Sequence, residues 1–425
     1  MKPKVILDIA YLGYAHDEKT SRRGVQRAAS HLFEGLLAAD FCELTFVAIS
    51  NLAGAYDFLE SHAINPEERL YFQRTRLLRS RLARKLVREV HRIIEDRSLS
   101  ARCRRRFLTT IAAGCLHNQS KLSSSWLDDA DIYHSPQMPF TPEVNRHPRL
   151  RRIITVHDFM PLKSPELFPN GRNIMDALLV SLQSRTVALC SSEATRQDLL
   201  HFSRLPPEQA LVTPLAADPK IFYPVVEPGP LLAVRNIYQL GDAPYFLALS
   251  ALDRHKNFSH LIECFGALAE AGELGGERLV IVGPNPGRNP EIRQVMAQFP
   301  SLKERIIIPG YVPDADLAAI YSGATAFLFP SLMEGFGLPP LEAMQCGTPV
   351  IASNTTSTPE VVGDAGILLP PTDRDAWCQA MLNLSRQSSL RAELREKSLQ
   401  RSKLFSWQRF MDETLRGYKI SLALK

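Results

Sequence analysis

Short apolar runs of four to seven residues recur along the chain, and amphipathic segments with helical spacing alternate with them. "KVILDIAY" precedes "GVQRAASHLFEGLLAA"; "ELTFVAIS", "DIYHSP", "RRIITVHD" and "TVALCSS" follow. A Pro/Gly-bearing stretch at 223–244, "YPVVEPGPLLAVRNIYQLGDAP", interrupts the pattern. It then restarts with "YFLALSA", "NFSHLIECFGALAEA", "RLVIVGP", "RIIIPGYV", "ADLAAIYSGA", "AFLFPS", "TPVIAS" and "AGILLPP". Uninterrupted apolar strands joined by helices make parallel sheets covered on both faces. Two series split by a linker make an α/β protein of two Rossmann-like, doubly wound domains. Ligands of such sheets gather at the carboxyl ends of the strands, here in the cleft between domains. The boundaries read as 1–222 for the first domain, 223–242 for the linker, 243–400 for the second domain and 401–425 for a C-terminal helix that can pack back on the first. A chain of 425 residues supports a core in each.

Several classes are excluded. No apolar run is long enough to span a bilayer. The N-terminal apolar block is broken by Asp8 and reads as a buried first strand, not a signal peptide. The seven cysteines are scattered, with no close pair for zinc, and fit structural thiols in a reducing cytoplasm.

The chemistry concentrates in "FLFPSLMEGFGLPPLEAMQCGTPVI" (327–351). The strand delivers the chain to the cleft, and Gly335 and Gly337 let the backbone approach a ligand. Pro339 suits a first helical turn, and the helix N-terminus behind it suits an anion such as a diphosphate. Glu342, one turn in, can accept hydrogen bonds from a pair of ribose hydroxyls, and Glu334 can accept from a sugar. The alternative for either glutamate is a solvated charge at a helix end. Asp129–Asp131 and Asp314–Asp316 read as helix-capping or strand-flanking groups, with Asp314 at the cap of the next helix, and no metal is required.

"EGFGLPPLEAMQCGTPVIAS" resembles the two-glutamate signature of the family 4 glycosyltransferases, retaining enzymes of the GT-B fold, and its wording is most similar to bacterial mannosyltransferases of surface-polysaccharide (O-antigen) synthesis. The resemblance implies that Glu342 holds the ribose of a nucleotide sugar and that Glu334 meets the donor sugar. The backbone of Gly335, Phe336, Gly337 and Leu338 would meet sugar and diphosphate. "LSALDRHKNF" implies that Lys256 pairs with the diphosphate, where a cation stabilises the developing leaving-group charge. Arg254 would be a second cation, but it stands one residue off the family's Arg-Lys-Asn register. "TVHD" implies that His157 faces the donor, with Asp158 fixing the loop. "TSRRGVQRAASHLF" implies that Gly24 lets the backbone approach the transferred group. Tyr311 and Val312, after Gly310, would hold the base. Ser192 reads as a helix N-cap.

The implied reaction moves a hexosyl group, mannose or a related sugar, from GDP-mannose or a similar donor to a glycan or lipid-linked acceptor. Glu334, His157 and Lys256 are the catalytic candidates, with no protein nucleophile, metal or cofactor. The alternatives are an epimerase or phosphorylase of the same fold, or a catalytically dead basic scaffold at the membrane.

Residues 71–106 hold thirteen Lys and Arg against three Asp and Glu, a local net of +10, while the remaining 37 basic and 42 acidic residues net −5. Leu78, Leu82, Leu86, Val90 and Ile94 recur at i+4, flanked by Arg81, Arg84, Lys85, Arg88 and Arg92. Such a helix suits an anionic membrane surface on the cytoplasmic side. Alternatively, its stripe joins the core and its arginines are solvated. Nucleic acid is not expected as a partner, because neither a binding motif nor interleaved aromatics accompany the charge.

Overall fold

The computed structural model describes residues 1–17, 24–92, 99–116, 122–169, 171–251, 253–283 and 290–424. Twelve strands form two six-stranded sheets. The first sheet holds β1 (Lys4–Asp8), β2 (Glu43–Val47), β3 (Ile132–Ser135), β4 (Arg151–Val156), β5 (Thr186–Cys190) and β6 (Ala210–Val212). Their order is β2-β1-β3-β4-β5-β6, and every pairing is parallel. The second holds β7 (Tyr245–Leu249), β8 (Arg278–Val282), β9 (Ile306–Gly310), β10 (Ala326–Phe329), β11 (Val350–Ser353) and β12 (Ile367–Leu369). It is also parallel, in the order β12-β11-β10-β7-β8-β9. The central strands, such as β1, β5, β10 and β11, are buried on both faces, which is why they read as unbroken Val/Ile/Leu/Phe runs.

The strand order places the site. In the second sheet the chain starts at β7, winds outward through β8 and β9, then returns to β10 beside β7 and winds the other way. Crossovers leave β7 and β10 in opposite directions, so a crevice opens at their carboxyl ends. The loops leaving those two ends carry Lys256 and Glu334.

Three features go beyond the periodic pattern. A helix, Ala10–Asp17, directly follows β1. β6, only three residues long, is too short to show a period. The stretch read as a linker contains the helix Pro228–Ile237, which packs against the helix Asp314–Ser322. The C-terminal helix Trp407–Ala423 lies against β4 and β5 of the first sheet. There, buried His134 bridges Tyr418 Oη at 2.8 Å and Thr155 Oγ1 at 3.0 Å.

The basic segment forms two helices, Arg74–Arg92 and Leu99–Leu116, packed on each other. The first turns Leu77, Ser80 and Ala83 toward the helix Leu52–Ser61. Small side chains at 80 and 83 permit the close approach, and Ser80 Oγ accepts from the Ala53 N–H at 3.0 Å, one of that helix's orphan donors. Leu78 and Leu82 therefore face outward, 64% and 47% exposed, and the core-stripe alternative does not hold for them. Ile94 of the stripe lies outside the described residues. Phe107 on the second helix is 65% exposed. Among the described residues no helix is long and apolar enough to cross a membrane.

Candidate functional site

After β7 the chain makes a tight turn, Arg254–Lys256, ending at Asn257 in the left-handed region (φ 57°). Asn257 Nδ2 donates to the carbonyls of Pro330 (3.2 Å) and Pro371 (2.8 Å), and the Leu332 N–H donates to the His255 carbonyl (2.8 Å). These bonds tie the β7 and β10 loops together. Lys256 Nζ then lies 2.6 Å from Glu334 Oε1, which also accepts from Ser331 Oγ at 2.5 Å. The side chains of Lys256 and Glu334 are only 14% and 10% exposed, so each shields the other's charge from a poorly hydrated surrounding. Among the described residues, Glu334 Oε2 and two Lys256 N–H groups remain for a ligand.

Gly337 (φ 104°) starts the helix Leu338–Gln345. The amide supply there is smaller than a bare helix end offers, because Pro339 and Pro340 have no N–H. The donors left on the loop are the amides around Phe336, Gly337 and Leu338, the stretch implied to meet sugar and diphosphate. The Phe336 ring itself is buried edge-on against Phe405, with ring centres 5.9 Å apart.

Glu342 is 6% exposed. Tyr321 Oη donates to its Oε2 at 3.2 Å, and Arg27 Nη1 donates to its Oε1 at 2.9 Å. Burial raises the Glu342 pKa, while Arg27 and the Tyr321 hydroxyl pull it back down. Arg27 belongs to the first domain. It sits one turn after Gly24 on the helix Gly24–Ala38, and its Nη2 also reaches Asp314 Oδ1 at 3.4 Å. Asp314 is the first residue of its helix, after Pro313 at the cap position. Neither the two-glutamate motif nor the strand–helix periodicity marks Arg27. Its only local signal is the three-residue spacing from Gly24, which puts both on one helix face. The two helix starts meet: a methyl added at Gly24 would lie 2.8 Å from Leu338 Cδ1.

The first domain closes over this loop. His157, at the end of β4, donates from Nε2 to the Pro136 carbonyl at 3.2 Å. A carbonyl can only accept, so Nε2 carries the proton. Burial pushes the pKa of His157 down to about 4, which keeps the ring neutral and leaves Nδ1 as an acceptor. Asp158 Oδ1 accepts from the Met160 N–H at 3.1 Å and holds the loop, and burial raises its pKa to about 6.

Gly335 meets the backbone of His157 directly. An added Cβ would overlap the His157 carbonyl oxygen and lie 2.9 Å from Asp158 Cβ. In this structure the close approach that Gly335 permits is therefore to the other domain. Three hydroxyls of the first domain serve the carbonyls of His157 and Gly335: Ser192 Oγ lies 2.7 Å from the Gly335 oxygen, and Ser191 Oγ and Thr195 Oγ1 lie between the two. Ser192 also caps its helix, accepting from the Thr195 N–H at 3.1 Å. A fourth contact is made by Glu360, whose two oxygens each accept at 2.7 Å from the Glu193 and Ala194 N–H groups at the start of the helix Glu193–Phe202.

Glu334, Lys256, His157, Gly24, Gly335, Gly337, Leu338 and Glu342 are thus brought together where the loops of the two sheets meet. Arg254 is 61% exposed and pairs with Glu291 at 2.9 Å. Tyr311, after Gly310 (φ 80°), is exposed, and Val312 is buried. Among the described residues no three His, Cys, Asp or Glu converge to hold a metal ion.

Known proteins match this picture. The profile of the glycosyl transferases group 1 covers residues 234–401. The O-antigen chain mannosyltransferase B of Escherichia coli is 32% identical over 291 residues, 68% of this chain and 74% of that protein. Sucrose-phosphate synthase from Thermosynechococcus elongatus superposes with a TM-score of 0.69 at 19% identity, covering 100% of both chains. WaaG, a glycosyltransferase involved in lipopolysaccharide biosynthesis, superposes with a TM-score of 0.60 at 13% identity, covering 99% of each. The chain belongs to the group 1 glycosyl transferases and has the GT-B fold.

Proposed function

We propose that this glycosyltransferase is a retaining hexosyltransferase that moves mannose, or a closely related sugar, from GDP-mannose to a glycan or lipid-linked acceptor during surface-polysaccharide synthesis. The observation that carries the reading is the Lys256–Glu334 pair beside buried Glu342 at the β7/β10 crevice, in a chain 32% identical to an O-antigen mannosyltransferase. In this reading the donor's ribose hydroxyls fall to Glu342. The diphosphate takes the loop amides of Gly337 and Leu338 and the Lys256 ammonium. The sugar hydroxyls take Glu334 Oε2 and His157 Nδ1. Lys256 and the fixed amides favour the charge that develops on the departing diphosphate more than the bound donor, so they lower the barrier without a metal ion or cofactor. The acceptor hydroxyl enters on the face the diphosphate leaves, so the configuration is retained. The exposed Leu78, Leu82 and Phe107, with exposed Arg79, Arg81, Lys85, Arg104 and Arg106 on the same two helices, suit the anionic cytoplasmic face of a membrane, where a lipid-linked acceptor resides.

The test is a panel of GDP-mannose, GDP-fucose and UDP-glucose, read by thermal shift and by nucleoside-diphosphate release. Saturating donor at 100-fold its Kd adds about 2.7 kcal/mol of stability. We expect GDP-mannose to stabilise and be consumed, and Glu342→Ala to abolish both effects. Consumption of a UDP-sugar alone would replace the donor assignment. Failure of every donor, with Glu342→Ala silent, would remove the enzyme reading.

A further inference from the structure

Arg27 is a buried cation that the roles above do not use. Its side chain is 15% exposed, and it crosses from the first domain into the second. Nη1 binds Glu342 and Nη2 binds Asp314, the guanidinium lies 4.9 Å over the Phe222 ring, and Nε is buried without an acceptor among the described residues. A purely structural arginine at such depth ordinarily has its donors satisfied.

We infer that Arg27 is a donor-site positioning residue, supplied by the first domain, that keeps the buried Glu342 a carboxylate and aims its free lone pairs at the nucleotide's ribose. The inference rests on the ribose reading of Glu342. An ionised carboxylate offers about four lone-pair positions. Tyr321 Oη occupies one on Oε2 and Arg27 Nη1 one on Oε1. One position on each oxygen remains, the number a vicinal diol needs. Without Arg27, burial favours the neutral acid, which loses acceptor capacity and presents a hydroxyl of its own. Because Arg27 rides on the first domain, this support exists only while the cleft is closed, so donor capture and closure become one event.

Among the described residues little else faces Glu342. Asp314 opposes its ionisation, and the Tyr321 hydroxyl favours it. The Cys346 thiol, at the C-cap of its helix, feels its charge. Glu360, on the neighbouring helix Thr358–Val362, commits both oxygens to Glu193 and Ala194. Arg395, on the helix Ser388–Ser402, donates to the Gly347 carbonyl. Arg27 is thus the cation that sets this carboxyl's state.

The experiment titrates the full chain with GDP and UDP by calorimetry between pH 5.5 and 8, for wild type, Arg27→Ala, Arg27→Lys, Glu342→Gln and the Arg27→Ala/Glu342→Gln double variant. For the nucleotide that wild type binds, Arg27→Ala should weaken binding at pH 7 on the order of 30-fold or more. Beyond the change that the nucleotide's terminal phosphate gives every variant in this range, the Arg27→Ala affinity should climb further with pH than wild type's as Glu342 ionises. Arg27→Lys should fall between them. Glu342→Gln should be weak at every pH, and adding Arg27→Ala to it should change little. Should Arg27→Ala fail to fold, Arg27→Lys and its pH profile decide alone. Unchanged affinity and pH profile in the Arg27 variants would reduce Arg27 to a structural cation and leave the proposed function standing. Tighter binding would make it a plug that competes with ribose, overturning the inference. If wild type binds neither nucleotide, the ribose reading of Glu342 falls and the inference with it.

Discussion

Replacing Gly335 by alanine separates two purposes for that glycine. If it exists to let the loop approach a ligand, the methyl group should weaken nucleotide binding. The structure predicts that the methyl acts through the docking of the first domain instead. The added carbon would lie 2.9 Å from Asp158 Cβ and 3.0 Å from the His157 carbonyl carbon, while ordinary carbon contacts need about 3.5–4.0 Å. The loop must therefore retreat from the first domain by roughly 0.5–1 Å. That stretches the 2.7 Å bond from Ser192 Oγ to the Gly335 carbonyl to about the limit of a hydrogen bond and loosens those of Ser191 and Thr195. Two lost hydrogen bonds at about 1 kcal/mol each amount to about 2 kcal/mol against closure, roughly 30-fold in the closing equilibrium. Turnover should fall with closure, and GDP affinity should fall with it, because Arg27 reaches Glu342 only from the docked first domain. The assay is the transfer rate at saturating donor beside the calorimetric Kd for GDP, with Ser192→Ala as a milder version of the same loss. A Gly335→Ala protein that turns over normally, or whose losses Ser192→Ala does not share, would refute domain docking as the reason for the glycine.

Three further outcomes follow from named contacts. Glu360→Gln should keep one of the two bonds to the Glu193 and Ala194 amides and lose the charge at that helix start, costing about 1–2 kcal/mol of closure; limited proteolysis of the cleft loops should speed up while the melting temperatures of the isolated transitions hold. Burial pushes the His134 pKa down to about 3 from an ordinary 6.5, so below pH 6.5 the unfolded chain takes up a proton that the folded one refuses. Stability from this group is therefore lost as pH falls, by up to about 1.4 kcal/mol per unit, and His134→Gln should flatten the melting curve against pH between 6.5 and 5. A wild type and variant with parallel curves would rule this out. Leu78→Ser/Leu82→Ser should reduce sedimentation with phosphatidylglycerol vesicles roughly tenfold or more, since each buried leucine contributes about 1.5–3 kcal/mol. Wild-type binding should also weaken with salt, and a wild type that stays in the supernatant at low salt would end the membrane reading.

Much of the fold was legible because its strands are buried on both faces. β1, β5, β10 and β11 had to be continuous apolar runs, and their alternation with helices implied parallel sheets. The Glu334–Glu342 loop was legible for a related reason: glycine, proline and carboxylate do local work there, in a few adjacent residues. β6 and the helix Ala10–Asp17 were not read, being too short or too weakly periodic. The outward turn of Leu78 and Leu82 was undecidable by spacing, because an i+4 stripe looks the same whether it meets a core or a solvent. Only the small residues Ser80 and Ala83, once packed on the helix Leu52–Ser61, settle which face is inside.

The amino-acid sequence by itself determined the parallel α/β sheets and the glycine-proline-carboxylate loop, which depend on short-range periodicity and local backbone chemistry, and its wording in that loop carried the family resemblance. The tertiary structure alone decided who meets whom across the cleft. Arg27 reaches Glu342 over a separation of 315 residues, Ser192 reaches Gly335 over 143, and Glu360 reaches Glu193 over 167. No local pattern encodes such pairings. They exist because the two sheets present their strand ends to one another, and one apolar cluster runs from the first sheet into the second.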